Sequence, residues 1–133
     1  LTLVDTNVLL DLVLADARLA HWSLLQLKIA SLAGPVAIND VIYAEPSVRY
    51  ESVEDLDSMV STLGVRLETI PRSGLFMAAK AFRRYRAQGG TRTGVVPDFF
   101  IGAHAVSVEC VLLTRDEARY RTYFPTVRLI LPD

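Results

Sequence analysis

The chain carries a single cysteine, Cys110, which excludes a disulfide framework and any site built from several thiolates. Its neighbours Val108, Val111 and Leu112 mark it as a buried thiol, in keeping with a reducing cytosol. No apolar run reaches the roughly 18 residues that a membrane span needs. The opening segment, Leu1 to Val4, is too short and uncharged to read as a signal peptide. Nor is there an excess of either charge. Fourteen Lys and Arg face 15 Asp and Glu, a net charge of -1, so a nucleic acid would have to be gripped by a local basic patch. Repeats, linkers and low-complexity tracts are absent as well. These absences describe one domain, residues 1–133, in the cytoplasm and without membrane attachment. What is present is a globular composition, 51% apolar and 22% charged, with enough apolar content to leave some for a partner surface.

Hydrophobic periodicity divides the chain into alternating strands and helices. Leu1 to Val4 reads as a buried strand, and Val8, Leu9, Leu12 and Val13 recur at helical spacing. A helix from Ala17 to Ala33 places Leu19, Trp22, Leu25, Ile29 and Leu32 on one stripe, expected to face the core or else a partner, and Gly34-Pro35 ends it. Val36 to Ile38 is the second strand. Asn39 or Asp40 caps the helix that follows, and Pro46 should kink or interrupt it. Glu54 to Leu63 reads as a helix, Val65 to Ile70 as a third strand, and Leu75 to Ala87 as an alanine-rich helix with a basic far end. After a glycine-bearing loop, Pro97 opens a helix through about Val108. Val111 to Leu113 and Val127 to Leu131 complete the strands, with a short helix between them expected from the capping-box spacing of Thr114 and Glu117. The alternation implies an α/β fold of three layers, α/β/α, around a central and mostly parallel sheet of about five strands.

Ligands of such sheets bind beyond the carboxyl ends of the strands, where the strand order reverses. Asp5 directly follows the first strand, Asp116 lies just past the fourth, Asp98 is in the first turn of its helix, and Glu45 is on the helix after the second strand. All four carboxylates can converge on that edge. Crowded carboxylates repel one another, and a divalent cation relieves the repulsion. An all-oxygen site favours magnesium or manganese over zinc. Such an ion activates a water and offsets charge on a phosphoryl oxygen, so phosphodiester hydrolysis is the natural reaction. Each acid also has a plain structural role open to it: Asp5, Asp98 and Asp116 suit helix starts, and Glu45 suits a solvated helix face.

The context of these acids is more specific than their number. Val4-Asp5-Thr6-Asn7-Val8-Leu9-Leu10 resembles the opening motif of PIN domains, and Ile42-Tyr43-Ala44-Glu45 is similar to their second motif. Pro97-Asp98-Phe99-Phe100-Ile101-Gly102-Ala103-His104-Ala105 looks like the third, and Leu112-Leu113-Thr114-Arg115-Asp116 like the fourth. Order and spacing agree across nearly the whole chain, and within the family the resemblance points to VapC toxins. It implies a cytosolic endoribonuclease dependent on magnesium or manganese, neutralised by a cognate antitoxin and self-associating as a homodimer. Asp5 and Asp98 would be the principal metal ligands, joined by Glu45 and Asp116, with Thr6, Asn7 and Thr114 supporting them. Pro46 departs from the usual pattern and puts a constraint on the backbone at Glu45.

RNA needs cationic contacts to its phosphates. Arg83, Arg84, Arg86 and Arg92 flank the glycine loop, and Arg115, Arg119 and Arg121 follow the fourth strand. Both groups can border the acids, although arginine also favours helix ends. Tyr85 could stack on a base or simply pack. His104 lies six residues past Asp98 and so points away from it, which argues against a catalytic histidine. A haloacid-dehalogenase-like phosphatase would also use Asp5 and Thr114, but it needs a second aspartate where Asn7 stands. An RNA-binding or scaffold module would ordinarily have lost some of the acids, and all four are here.

Overall fold

The structure, a computed structural model, describes residues 1–14 and 17–132. Its five strands are β1 (Thr2–Val4), β2 (Val36–Ile38), β3 (Arg66–Leu67), β4 (Val111–Leu113) and β5 (Arg128–Ile130). They form one sheet in the order β3-β2-β1-β4-β5, parallel throughout. The unbroken apolar runs of β1 and β2 are buried along their whole length, as central strands covered on both faces must be. Register aligns Leu3 with Ala37 on one side and with Leu112 on the other. The chain leaves β1 for β2 and later returns to the opposite side of β1 with β4, so the order reverses at the carboxyl ends of β1 and β4. Asp5 and Thr114 lie at those two ends.

The helices are α1 (Thr6–Leu14), α2 (Ala17–Ala33), α3 (Asp40–Ser47), α4 (Val53–Thr62), α5 (Arg72–Ala87), α6 (Pro97–Ser107) and α7 (Glu117–Arg121). Asn39 caps α3, its Oδ1 accepting from the Ile42 N–H at 3.0 Å. Pro46 lies in the last turn of α3 and the helix ends one residue later, so the proline terminates it rather than bending a longer rod. Gly74, Ala78 and Ala81 are the buried residues of α5. Their small size lets α5 lie close along α6: a Cβ on Gly74 would stand 3.0 Å from the Ser107 Oγ.

Three expectations need correcting. Sheet pairing at the third strand extends only over Arg66 and Leu67, both exposed at the sheet edge, rather than from Val65 to Ile70. Only part of the predicted stripe of α2 faces the core: Trp22 packs against it, and the later residues point outward. Leu25, Ile29 and Leu32 are 47%, 51% and 89% exposed, while Ser23, Leu27 and Ala30 turn inward. Thr114 does not cap a helix with Glu117. Asp116 caps α7 instead, its Oδ1 accepting from the Arg119 N–H at 3.2 Å, while the Thr114 oxygen accepts from the Asp116 N–H two residues on and its O–H donates to Asp5. No helix among the described residues is long and apolar enough to cross a membrane.

Candidate active site

Asp5 is the fixed point of the site. Its backbone N–H extends the β1–β4 pairing by donating to the Leu113 carbonyl at 2.9 Å, and its side chain is fully buried. The carboxylate accepts three hydrogen bonds: from the Thr6 N–H at 2.7 Å, the Thr114 hydroxyl at 2.6 Å and the Asn7 amide at 3.3 Å. Asn7 bridges the two turns, donating also to Thr114 at 3.3 Å and accepting from the Arg115 N–H at 3.2 Å. Thr114 in turn accepts from the Asp116 N–H at 3.1 Å. Thr6, Asn7 and Thr114 therefore meet at Asp5, where the sequence expected them. A buried carboxylate held by several donors has a fixed rotamer, which is what an orienting group needs.

The other acids approach from three further elements. Asp98 is in the first turn of α6, and Asp116 is at the start of α7. Both reach the same guanidinium: the Arg119 Nε lies 3.2 Å from an oxygen of each. Burial pushes the Asp98 carboxyl above the usual carboxylate range; Arg119 pulls it back, and the charges of Asp5, Asp116 and Glu45 push it up again. All four acids thus share one electrostatic neighbourhood. Glu45 is exposed, in the last turn of α3. It lines a cleft of about 580 Å³ together with Asp98, Arg119, Arg92, Tyr85 and Tyr123.

The donor set suits a hard divalent cation. Its oxygens are carboxylates from four elements, and a cation already spans two of them. A buried hydroxyl points to the same conclusion. Tyr120, on α7, is fully buried and its OH makes no hydrogen bond of ordinary length; burial, then the charge of Asp5 and a long contact with its carboxylate, push its ionisation upward. A poorly satisfied polar atom beside a carboxylate is the kind of place that a bound water or ion completes. Among the described residues, no three acids are drawn around one point, so the set is open rather than closed on a vacant shell.

The basic residues divide by what they hold. Arg115 makes a bidentate ion pair with buried Asp11, at 2.7 and 2.9 Å, and Asp11 also accepts from the Ser23 hydroxyl at 2.8 Å. One edge of its guanidinium is therefore held by Asp11, with the side chain 29% exposed. Arg84 donates to the Tyr123 carbonyl at 3.3 Å, and Arg86 to the carbonyls of Gly90 and Arg92 at 3.1 and 2.9 Å. Arg83 and Arg92 are exposed, and Arg92 faces the cleft. Tyr85 packs against Phe82, Phe99 and Tyr123, and its hydroxyl accepts from the N–H groups of Thr91 and Arg92, so it clamps the glycine loop. His104 is buried away from the acids. The Asn39 amide lies 3.0 Å from its Nδ1, and burial lowers its basicity, so it stays neutral and structural. The sequence reading passed over Asp11, whose signal was a charge inside an apolar helix. It placed Arg119 only in a basic group, although Arg119 stands three residues past Asp116. Nothing local marked Tyr120.

The PIN domain family matches residues 2–125. The chain belongs to the PIN domain family. Solved structures share its architecture over almost the whole length. A VapBC2 structure from Rickettsia felis, bound to a DNA fragment from the promoter, superposes with a TM-score of 0.73 at 14% identity, covering 99% of this chain and 98% of that one. A VapBC-1 structure from nontypeable Haemophilus influenzae gives 0.70 at 16%, covering 97% and 96%. A toxin–antitoxin complex from Klebsiella pneumoniae gives 0.62 at 20%, covering 98% and 96%. No curated protein matches the sequence. Membership of the family removes the haloacid-dehalogenase reading of Asp5 and Thr114. The four stretches that resemble PIN motifs lie on the segments that carry Asp5, Glu45, Asp98 and Asp116.

Proposed function

We propose that this PIN domain, acting as one unit, is a metal-dependent endoribonuclease and the toxin half of a toxin–antitoxin pair in the cytoplasm. The observation that carries the reading is geometric: Arg119 spans Asp98 and Asp116 at 3.2 Å, and Glu45 lines the same cleft as Asp98, beside the strand-order reversal where Asp5 sits. Asp5 and Asp98 would be the principal ligands of Mg2+ or Mn2+, with Glu45 and Asp116 completing the set. When bound, the ion would supply an activated water and offset charge on the phosphoryl oxygen.

The chain's own residues do the rest. Asn7 and Thr114 fix the rotamer of Asp5. Arg92 stands at the cleft mouth, where an RNA phosphate would enter, and Arg83 adds an exposed cation on the same helix–loop segment. Arg86 shapes that loop through the carbonyls of Gly90 and Arg92, and Arg84 ties the end of the helix to the Tyr123 carbonyl. Arg115 contributes mainly by bracing the turn at Asp5, with the remaining N–H edge of its guanidinium left for a phosphate. A cognate antitoxin and a second copy of the chain are the expected partners. The exposed Leu25, Ile29 and Leu32 of α2 supply apolar surface of the kind a protein partner covers.

The test is cleavage of a mixed RNA pool by the purified chain with Mg2+ or Mn2+, with chelator, and by Asp98→Asn. Cutting that needs the ion and vanishes in the variant supports the reading. A folded wild type that binds RNA without cutting, at any ion concentration, would turn the assignment to an RNA-binding module.

A further inference from the structure

Two arginines beside the acids, Arg115 and Arg119, hold carboxylates, and they hold them differently. Arg115 grips Asp11 with two aligned hydrogen bonds, at 2.7 and 2.9 Å, and Asp11 is almost wholly buried. That is a locked pair. Arg119 instead offers one atom, Nε, to two carboxylates at once, at 3.2 Å from each, and Arg119, Asp98 and Asp116 are each 36–40% exposed. One N–H shared between two oxygens at that distance, open to water, is a weak and exchangeable contact. It is also the contact between cation and carboxylate at the heart of the acid cluster, and it rests on α7, a helix of only five residues. Beside it, the buried Tyr120 hydroxyl is directed at Asp5 without a hydrogen bond of ordinary length.

We propose that Arg119 is an internal counter-ion that competes with the divalent cation for Asp98 and Asp116, so that it sets the metal concentration at which the site loads. The proposal rests on reading the acids as a metal site. Without a cation, Asp98 faces three like charges, and the guanidinium holds the cluster together. A divalent ion offers twice the charge to the same oxygens, and the loose geometry lets Arg119 swing off them toward the cleft that it already lines. The exchange moves no proton and breaks no covalent bond. It leaves the guanidinium on the cleft wall near Arg92.

The experiment is a Mn2+ titration of the full chain, read by the electron paramagnetic resonance signal of free Mn2+. It needs no RNA and no turnover. The proteins are wild type, Arg119→Gln, Arg119→Lys, Asp98→Asn and Arg66→Gln; Arg66 pairs with Glu68 at the far sheet edge and serves as a control for lost charge. Arg119→Gln should bind Mn2+ about three- to tenfold more tightly, the worth of two half-exposed ion contacts. Arg119→Lys, which keeps the charge, should stay much nearer to wild type, and Arg66→Gln should match it. Equal or weaker binding by a folded Arg119→Gln, with Asp98→Asn still impaired, would overturn the competition and leave the metal site standing. Absence of binding in both wild type and Arg119→Gln would overturn the metal site and the competition together.

Discussion

Replacement of Asp11 by alanine should be among the most damaging single changes outside the acid cluster. Asp11 is buried on α1 and joins three elements: Ser23 on α2 donates at 2.8 Å, and Arg115 beyond β4 donates at 2.7 and 2.9 Å. Truncation strands the fully buried Ser23 hydroxyl, worth about 1–3 kcal/mol. It also strands a guanidinium. Loss of one partner from a buried pair costs about 3–5 kcal/mol; because Arg115 is 29% exposed and can turn to water, only part of that applies. The two contributions together predict a loss of about 3–4 kcal/mol, a large share of the roughly 5–15 kcal/mol that holds a domain folded. Urea unfolding followed by far-UV circular dichroism measures it, with the slope of the transition checked for constancy. Arg115→Ala in the Asp11→Ala background should cost little more, because the partners are already separated. A loss below about 1 kcal/mol for Asp11→Ala would refute the argument and free Arg115 for a role on RNA. Confirmation would mean that lost RNA binding in an Arg115 variant reports a loosened Asp5 turn, since the Arg115 N–H also bonds Asn7.

Three further outcomes follow from neighbouring contacts. Gly102→Ala puts a Cβ 2.4 Å from the ring of buried Phe124, so α6 must move and stability should fall by about 1–3 kcal/mol in thermal unfolding; Phe124→Leu should restore part of it. Tyr120→Phe deletes a buried hydroxyl that makes no hydrogen bond of ordinary length, so the metal-free protein should unfold at the same temperature or higher, and a clear loss would show that the hydroxyl is bonded in solution. The raised Asp98 carboxyl binds its proton more tightly folded than unfolded, so ionising it costs stability as pH rises through the window between the unfolded value of 3.8 and the higher folded one. Metal-free Asp98→Asn should therefore be slightly more stable than wild type at neutral pH, by a few tenths of a kcal/mol after solvent screening. The gap should close on acidification; a gap that widens toward low pH would reverse the sign of the argument.

What could be read from the sequence was local in origin. The apolar run of β1, the Asn39 cap, the terminating Pro46 and the Pro97 start each depend on residues a few positions apart, and each appears where expected. Strand ends were legible for the same reason, and the chemistry sits on strand ends. The later part of the α2 stripe failed because periodicity identifies a face without saying what covers it. The real inward face includes Ser23, a polar residue tolerated there only because Asp11 accepts its proton. Thr114 failed as a helix cap because its oxygen accepts from the Asp116 N–H only two residues on, in a turn that is also tied by its O–H to Asp5, 109 residues away.

The same distinction explains why the acids were foreseeable and their arrangement was not. Asp5, Glu45, Asp98 and Asp116 each announce themselves by position after a strand or at a helix start. Which cation balances them depends on where α7 begins: Asp116 is its N-cap, and Thr114, whose O–H donates to Asp5 and whose oxygen accepts from the Asp116 N–H, stays in the turn before it. Starting the helix there puts Arg119 in its middle, over Asp98 and Asp116, and Tyr120 inward toward Asp5. One hydroxyl, Thr114, donating to Asp5 and accepting from the Asp116 N–H, thus ties the central carboxylate to the turn that leads into α7. Thr114→Val should therefore disturb more than one hydrogen bond: it should release Asp5 and shift the start of α7 together, weakening Mn2+ binding while the sheet stays paired.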